Sequence, residues 1–286
     1  MWNAIAAQIQ AVTGKPFTIQ ARRSVGGGCI NQGYAISDGD RTYFVKTNSP
    51  GQREMFIAER LGLQQMAKTQ TIRVPQPLCE GATDQASYIV LEWLDFGRGV
   101  SESWMQMGQK LAALHRYAGS EQFGWEINNT IGSTPQINTW MDSWADFFAE
   151  QRIGYQLRLA RRQGGSFPET NRVVERVREM LDAHEPQPSL VHGDLWSGNA
   201  GCTTAGEPVI YDPAAYWGDR EVDLAMTELF GAFPAAFYRG YEAAWPLDAG
   251  YEQRKSLYNL YHVLNHFNLF GGGYGSQASR MLAAIL

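Results

Sequence analysis

Asp194 and Asn199 are the first residues whose types and spacing suggest chemistry. They stand five apart in the run His192-Gly193-Asp194-Leu195-Trp196-Ser197-Gly198-Asn199. A carboxylate at the first position can take the proton of an attacking hydroxyl. An amide oxygen five residues later can reach a divalent cation that rides on phosphates. Thirteen residues beyond Asn199, the strand-like run Pro208-Val209-Ile210-Tyr211 delivers a second carboxylate, Asp212. Asp and Asn also cap turns for purely structural reasons. A second carboxylate placed at a strand end turns the set toward phosphoryl transfer.

That chemistry needs a cation on the phosphates. Lys46 closes the β-prone run Tyr43-Phe44-Val45. Glu59, thirteen residues on and mid-helix, is the residue expected to hold it; Glu54 is the alternative, placed near the helix start. Upstream, Gly26-Gly27-Gly28-Cys29-Ile30-Asn31-Gln32-Gly33 is a loop whose N–H groups can approach phosphate oxygens. It is not a Walker A loop, because no Gly-Lys-Ser/Thr follows, and it is not a clean G-x-G-x-x-G. The Asp-to-Asn spacing equals that of the kinase catalytic loop, and Asp212-Pro213-Ala214 stands where protein kinases carry Asp-Phe-Gly.

The positioning elements can be sketched from periodicity. Residues 88–91 form a second β-prone run, and residues 51–68 between the two runs have helical spacing. Later segments are mostly helical: Trp104, Met107, Leu111 and Leu114; then Trp140, Trp144, Phe147 and Phe148; then Val173, Val174, Val177, Met180 and Leu181. These apolar stripes are core faces. Short strand-like pieces at 190–192 and 208–211 interrupt the helices. Residues 95–99 are expected to be a linker, with a hinge near 92–98. The fold class is α+β, with a small lobe over 1–94 and a larger, mainly helical lobe over 95–286.

The chain has 286 residues, 44% hydrophobic and 19% charged, an ordinary globular balance that excludes disorder, collagen and coiled coil. Its net charge of -5 argues against nucleic acid as a partner. Three cysteines, Cys29, Cys79 and Cys202, lie far apart without a CxxC pair. They are expected to be reduced thiols of a cytoplasmic protein. No apolar run approaches the ~18 residues of a membrane span, and the first ten residues lack the pattern of a signal peptide.

Taken in order, these residues resemble the fructosamine kinase (ketosamine-3-kinase) family in its bacterial form. The matching stretches are GGGCINQGY, YFVK, LEWLDFG, LAALH, FGWEINNTIGSTPQIN, HGDLWSGN, DPAAYWGDREVDLAM and YNLYHVLNHFNLFGGGY, which cover nearly the whole chain. The HGD-to-Asn motif is shared with aminoglycoside and choline kinases. The stretches 123–138, 212–226 and 258–274 are more specific to the family. The resemblance implies a bilobal protein-kinase-like fold and ATP- and Mg²⁺-dependent phosphorylation of a ketoamine at O3, on amines or glycated proteins. A phosphate there is a good leaving group beside the C2 carbonyl, so the amine can be released. Small ketoses are expected to serve at least as readily as fructosamine.

On the same basis Asp194 is the catalytic base and Asn199 and Asp212 are the Mg²⁺ ligands. Gly26, Gly27, Gly28, Lys46 and Glu59 serve the ATP phosphates, and the backbone of Glu92, Trp93 and Leu94 meets adenine. Gly193 replaces the arginine that answers activation-loop phosphorylation in protein kinases, so that regulation is not expected. Trp217, Asp219 and Glu221 are candidates for the acceptor pocket, and His262, Asn265 and His266 on a late helix could join them. Asp223 is expected to be a hydrogen-bond anchor behind the catalytic loop. His262 and His266 lack the frame and third ligand of a metal site. Cys29, in a phosphate-binding loop, is a candidate redox switch; a monomer is expected, with a Cys29-linked dimer as its oxidised form. Cys79 and Cys202 look structural. The rivals are another small-molecule kinase, a pseudokinase, which would have lost Asp194, Asn199 or Lys46, and a metallophosphoesterase, whose flanking D-x-H and G-H-x-H motifs are absent.

Overall fold

The structure, a computed structural model, describes residues 1–26 and 30–286. Gly27, Gly28 and Cys29, for which phosphate-binding and redox roles are expected, lie outside the described residues.

Helix α1 (Trp2–Thr13) ends at Gly14, whose left-handed backbone lets its N–H close on the Gln10 carbonyl. Five antiparallel strands follow: β1 (Ala21–Val25), β2 (Gln32–Ser37), β3 (Thr42–Asn48), β4 (Pro77–Ala82) and β5 (Ser87–Glu92), in the order β1-β2-β3-β5-β4. Helix α2 (Arg53–Lys68) lies between β3 and β4 in the chain. The strand period of two sorts the side chains. Val45, Tyr88 and Val90 pack with Ile5 and Ile9 of α1. Phe44, Ile89 and Leu91 join the larger core with Phe56, Leu63 and Met66 of α2. Lys46 is two residues from Phe44 and opposite Ile89, so it shares the α2 face.

The expected linker at 95–99 is not free. Strand β6 (Phe96–Gly97) pairs with β10 (Ala200–Thr203), which pairs with β11 (Pro208–Ile210). The Thr204 N–H also donates to the Asp95 carbonyl at 2.8 Å. Backbone pairing with the larger lobe thus fixes this segment, which a two-residue strand cannot advertise in sequence.

Helix α3 (Ser101–His115) crosses α8 (Ala235–Ala244) with backbones in contact. A Cβ on Gly108 would come within 2.1 Å of the Phe237 carbonyl oxygen, and one on Gly240 within 2.1 Å of that of Met105. The hairpin β7 (Asn129–Ile131) and β8 (Thr134–Gln136) precedes a helical rod formed by α4 (Trp144–Phe147), a π-helical stretch (Phe148–Gly154) and α5 (Tyr155–Arg162). The rod begins later than the aromatic spacing from Trp140 suggests. Ser143 caps it by accepting the Asp146 N–H, which leaves Trp140 outside and 37% exposed. Helix α6 (Thr170–Leu181) and strand β9 (Ser189–Val191) lead to the catalytic loop. Strand β12 (Tyr216–Gly218), paired with β9, precedes α7 (Glu221–Leu229), and α9 (Tyr251–Phe270) and α10 (Gly273–Ile285) complete the chain. The result is an α+β protein of two parts, sheet then helices, with one continuous core beneath the cleft between them. No helix of the described residues is long and apolar enough to cross a membrane.

Candidate active site

The catalytic loop is hung from one buried carboxylate. Asp223, in the first turn of α7, accepts the His192 N–H at 2.6 Å and the Gly193 N–H at 2.8 Å. His115 of α3 reaches the same carboxylate at 3.1 Å and is held in turn by Tyr241 of α8 at 2.8 Å. Burial alone would raise the Asp223 carboxyl, but His115 and His192, the latter also through its N–H, outweigh it and hold the group below its ordinary value. The His192 ring donates Nε2–H to the Tyr211 carbonyl at 2.9 Å and accepts the Asp194 N–H through Nδ1 at 3.3 Å. Burial keeps this imidazole neutral, as that pattern requires.

Gly193 is a steric necessity here. Its φ is 79°, and a Cβ would stand 2.2 Å from the Ala214 carbonyl oxygen. The loop and the Asp212 segment touch along their backbones, with Ala214 N–H on the His192 carbonyl at 2.8 Å and Tyr211 N–H on the Asn199 carbonyl at 3.0 Å.

Asp194 sits half-buried on the cleft floor. Asn199 Nδ2 donates to its carbonyl at 2.9 Å and to its carboxylate at 3.1 Å. Burial, aided by the nearby Asp212 charge, pushes the Asp194 carboxyl up to about 7 against the pull of Asn199. Lys46 Nζ lies 2.6 Å from Glu59 and also pairs with Asp212. Burial opposes its charge, yet the two carboxylates win and raise its pKa. Glu54 is exposed in the first turn of α2, away from this cluster. Asp212 is a non-glycine residue at φ 60°, and its carboxylate is 40% exposed.

These groups open into a cleft of about 660 Å³. At its hinge end Val25, Phe44, Leu91, Trp93, Leu94 and Phe96 make an apolar slot, and Gly26 lies at its edge. The Glu92 carboxylate is taken by Arg73 and the Gln76 N–H, and the Glu92 N–H donates to the Gln76 carbonyl at 2.8 Å, while Trp93 and Leu94 line the slot. The donor set fits Mg²⁺: with Asn199 Nδ2 spent on Asp194, its amide oxygen remains, and Asp212 adds a second hard oxygen donor.

Three of the acceptor candidates stand apart from the cleft. Trp217, Asp219 and Glu221 are 2%, 1% and 1% exposed. The Trp217 backbone pairs with Gly124. Asp219 accepts Tyr258 OH at 2.6 Å and meets His184 at 2.8 Å, and Glu221 is bidentate to Arg254 at 2.7 Å. The carboxylates of Asp219 and Glu221 are used inside the lobe, and Trp217 lines a separate hollow with Gln122, Trp140 and Asp142. The wall facing Asp194 is instead Trp196, Met226, Phe230, Asn265, His266 and Tyr274. Phe230 lies 6.4 Å from Trp196 and 4.6 Å from His266 between ring centroids, and His266 lies 5.0 Å from Tyr274. His262, one turn earlier, is buried and does not line the cleft. A partial signal for this wall was present: His266 and Phe270 stand four apart on one face of α9, whereas Tyr274 joins them from α10 across the turn at Gly271 and Gly272.

A sequence profile described as fructosamine kinase matches residues 1–286. A Synechocystis protein named a probable ketoamine kinase is 64% identical over 285 residues, spanning 100% of this chain and 97% of that one. The chloroplastic protein-ribulosamine 3-kinase of Arabidopsis thaliana is 45% identical over 275 residues, spanning 94% and 83%. A crystal structure from Haemophilus somnus, of a protein provisionally named fructosamine-3-kinase, has a TM-score of 0.95 at 34% identity over 100% and 98% of the two chains. An aminoglycoside phosphotransferase solved with AMP-PNP and hygromycin B has a TM-score of 0.63 at 18% identity over 99% and 97%, a likeness of fold. The fold is that of the protein-kinase-like phosphotransferases.

Proposed function

The chain belongs to the fructosamine kinase family, and from that premise we propose that it moves the γ-phosphoryl group of ATP to the 3-hydroxyl of a ketoamine, free or protein-bound. The carrying observation is the convergence of Asp194, Asn199, Asp212, Lys46 and Glu59 on one cleft with an aromatic far wall. In this proposal residues 1–94 bind the nucleotide and residues 95–286 supply the chemistry.

Each side chain has a distinct task. Lys46, kept charged by Glu59 and Asp212, offers its ammonium to the phosphates. Asn199 and Asp212 would hold Mg²⁺, which when bound supplies positive charge to the transferring oxygens. The apolar slot from Val25 to Leu94 takes the base and excludes water. Trp196, Phe230 and His266 would bear on the acceptor, with Asp194 below to accept its hydroxyl proton. His266 Nδ1 donates to the His262 carbonyl, so its Nε2 is free to accept a sugar hydroxyl. In the product, enolisation removes a proton from C1 and expels phosphate from C3. Water then hydrolyses the resulting imine and frees the amine. Cys79 and Cys202 are free, buried thiols, which supports a reducing, cytoplasmic setting.

The test is Mg²⁺-ATP turnover, read as ADP release, with ribulosyl-, erythrulosyl- and fructosyl-lysine beside kanamycin, choline and homoserine. Ketoamine-dependent turnover that vanishes in Asp194→Asn is expected. Turnover confined to another alcohol would overturn the acceptor assignment.

A further inference from the structure

Behind the Asp212 loop lies a chain of side-chain amides that all point one way. After Asp212 the chain passes through Ala214 and Ala215, 3% and 2% exposed. Gln136 Nε2 donates to the Ala214 carbonyl at 3.0 Å, and Asn129 Nδ2 donates to the Ala215 carbonyl at 2.8 Å. Asn129 and Gln136 face each other across the β7–β8 hairpin. The Asn129 amide oxygen accepts both Gln136 Nε2 and Asn138 Nδ2 at 2.8 Å. The Asn138 oxygen in turn accepts Arg152 at 2.8 Å, and the Gln136 oxygen accepts Tyr261 OH at 2.7 Å.

A side-chain amide turned end for end keeps its shape but reverses its polarity, so its partners decide its orientation. Arg152 can only donate, and the carbonyls of Ala214 and Ala215 can only accept. Arg152 therefore sets Asn138, Asn138 sets Asn129, and the Asn129 NH₂ is left for Ala215. The Ala214 carbonyl and the Asn129 oxygen both take the Gln136 NH₂, which leaves the Gln136 oxygen to accept Tyr261 OH.

Arg152 itself is fully buried, in the π-helical stretch, with its guanidinium 4.1 Å from the Tyr216 ring centroid and 4.6 Å from that of Phe147. Among the described residues it has no carboxylate partner. A buried cation without a counter-ion is a poor stabiliser, and apolar side chains of like volume would serve better. Its contribution is directional.

We propose that Arg152, Asn138, Asn129 and Gln136 are positioning residues that hold the Asp212 loop with its carboxylate set for the cation. The inference rests on the assignment of Asp212 as a cation ligand. The hairpin stretch 123–138 thereby has a task in the reaction although Asn138 and Gln136 do not line the cleft.

The experiment is a Mn²⁺ titration of the ADP complex, followed by electron paramagnetic resonance, with metal-free ADP affinity measured by calorimetry in chelator. Gln136→Met, which keeps length and removes the donor, should weaken Mn²⁺ about fivefold to tenfold, the worth of one buried hydrogen bond. Metal-free ADP affinity should stay within about twofold. Tyr261→Phe releases the Gln136 amide more gently and should shift Mn²⁺ in the same direction by about threefold. It decides alone if Gln136→Met does not fold. Asp212→Ala is the reference. If it loses Mn²⁺ while the folded positioning variants bind as the wild type does, even with lowered melting temperatures, the inference is overturned and the cation site stands. If Asp212→Ala binds Mn²⁺ as the wild type does, the cation assignment fails and the inference with it.

Discussion

Asp223→Asn is the substitution that most directly tests how the catalytic loop is held. The carboxylate takes the His192 N–H and His115 on one oxygen and the Gly193 N–H on the other. Asparagine has the same outline but a single acceptor oxygen. If that oxygen keeps His192 and His115, the new NH₂ meets the Gly193 N–H donor to donor in a fully buried place. Losing one charge-assisted hydrogen bond costs about 1.5–3 kcal/mol, and stranding a buried donor adds about 1–3. Stability should therefore fall by about 2.5–6 kcal/mol. The Asp194 N–H hangs on the ring of His192, so the carboxylate loses its register too. A displacement approaching 1 Å would lower kcat about 100-fold, while KM for ATP, assigned in the proposal to Lys46 across the cleft, should hardly move. The native Asp223 carboxyl titrates below its ordinary 3.8, so its contribution is whole above that pH and disappears as pH falls through the lower folded value. The stability gap between wild type and variant should thus be flat from about pH 5 to 8 and close only in acid. Denaturant unfolding by circular dichroism and steady-state ADP release measure both effects. A variant within about 0.5 kcal/mol of wild type and within about twofold in kcat would refute the anchor.

Other outcomes follow from the same geometry. Gly193→Ala should cost at least about 2 kcal/mol and most of the activity, because its Cβ would sit 2.2 Å from the Ala214 oxygen at a φ of 79°; calorimetric melting beside turnover checks this. Lys46→Met should raise KM for ATP more than about tenfold and leave the acceptor KM alone, in keeping with loss of a charged phosphate contact. Asp219→Asn should lower melting temperature by disturbing the Tyr258 and His184 bonds, with acceptor KM within about twofold of wild type. His266→Ala should do the reverse, raising acceptor KM about tenfold with little change in melting.

What could be read from sequence divides along physical lines. Lys46, Glu59, Asp194, Asn199 and Asp212 were nameable because phosphate and cation chemistry limits residue type and spacing together, and the structure gathers all five around one cleft. Asp223 could be marked as a loop anchor, and it is the acceptor of both loop N–H groups. Asp219 and Glu221 misled because a buried polar network and a binding pocket draw on the same side chains, and the folded positions of Tyr258 and Arg254 tell them apart; Trp217 lies in the core beside Gly124, away from the cleft. Among the two late-helix histidines, four-residue spacing gives a shared face but not its depth, and His266 alone reaches the cleft. The pairing of Phe96 and Gly97, and the π-helical stretch that presents Arg152, depend on distant backbone and leave no local pattern.

The tether at β6 also governs how the two lobes can move. Strand β5 stays paired to β3 as far as Glu92 opposite Tyr43, and from Asp95 onward the chain is bonded to the other lobe. Between them, Trp93 and Leu94 make no backbone hydrogen bond to either lobe among the described residues. A second crossing runs beside them, where Arg73 bridges to Val209 and its carbonyl accepts the Ile210 N–H. These two short crossings lie side by side, and a rocking motion about them would have to break the Trp125 Nε1–H bond to Gln65 of α2 at 2.6 Å. Lys46 lies three residues farther along β3 than Tyr43, about 10 Å out along the strand. A rocking of the small lobe about the crossings would sweep the phosphate end through an arc while the base end, beside them, stays almost still. A nucleotide could be gripped first by its base and aligned by its phosphates afterwards, with tightness of binding and alignment for transfer controlled at opposite ends of a single lever.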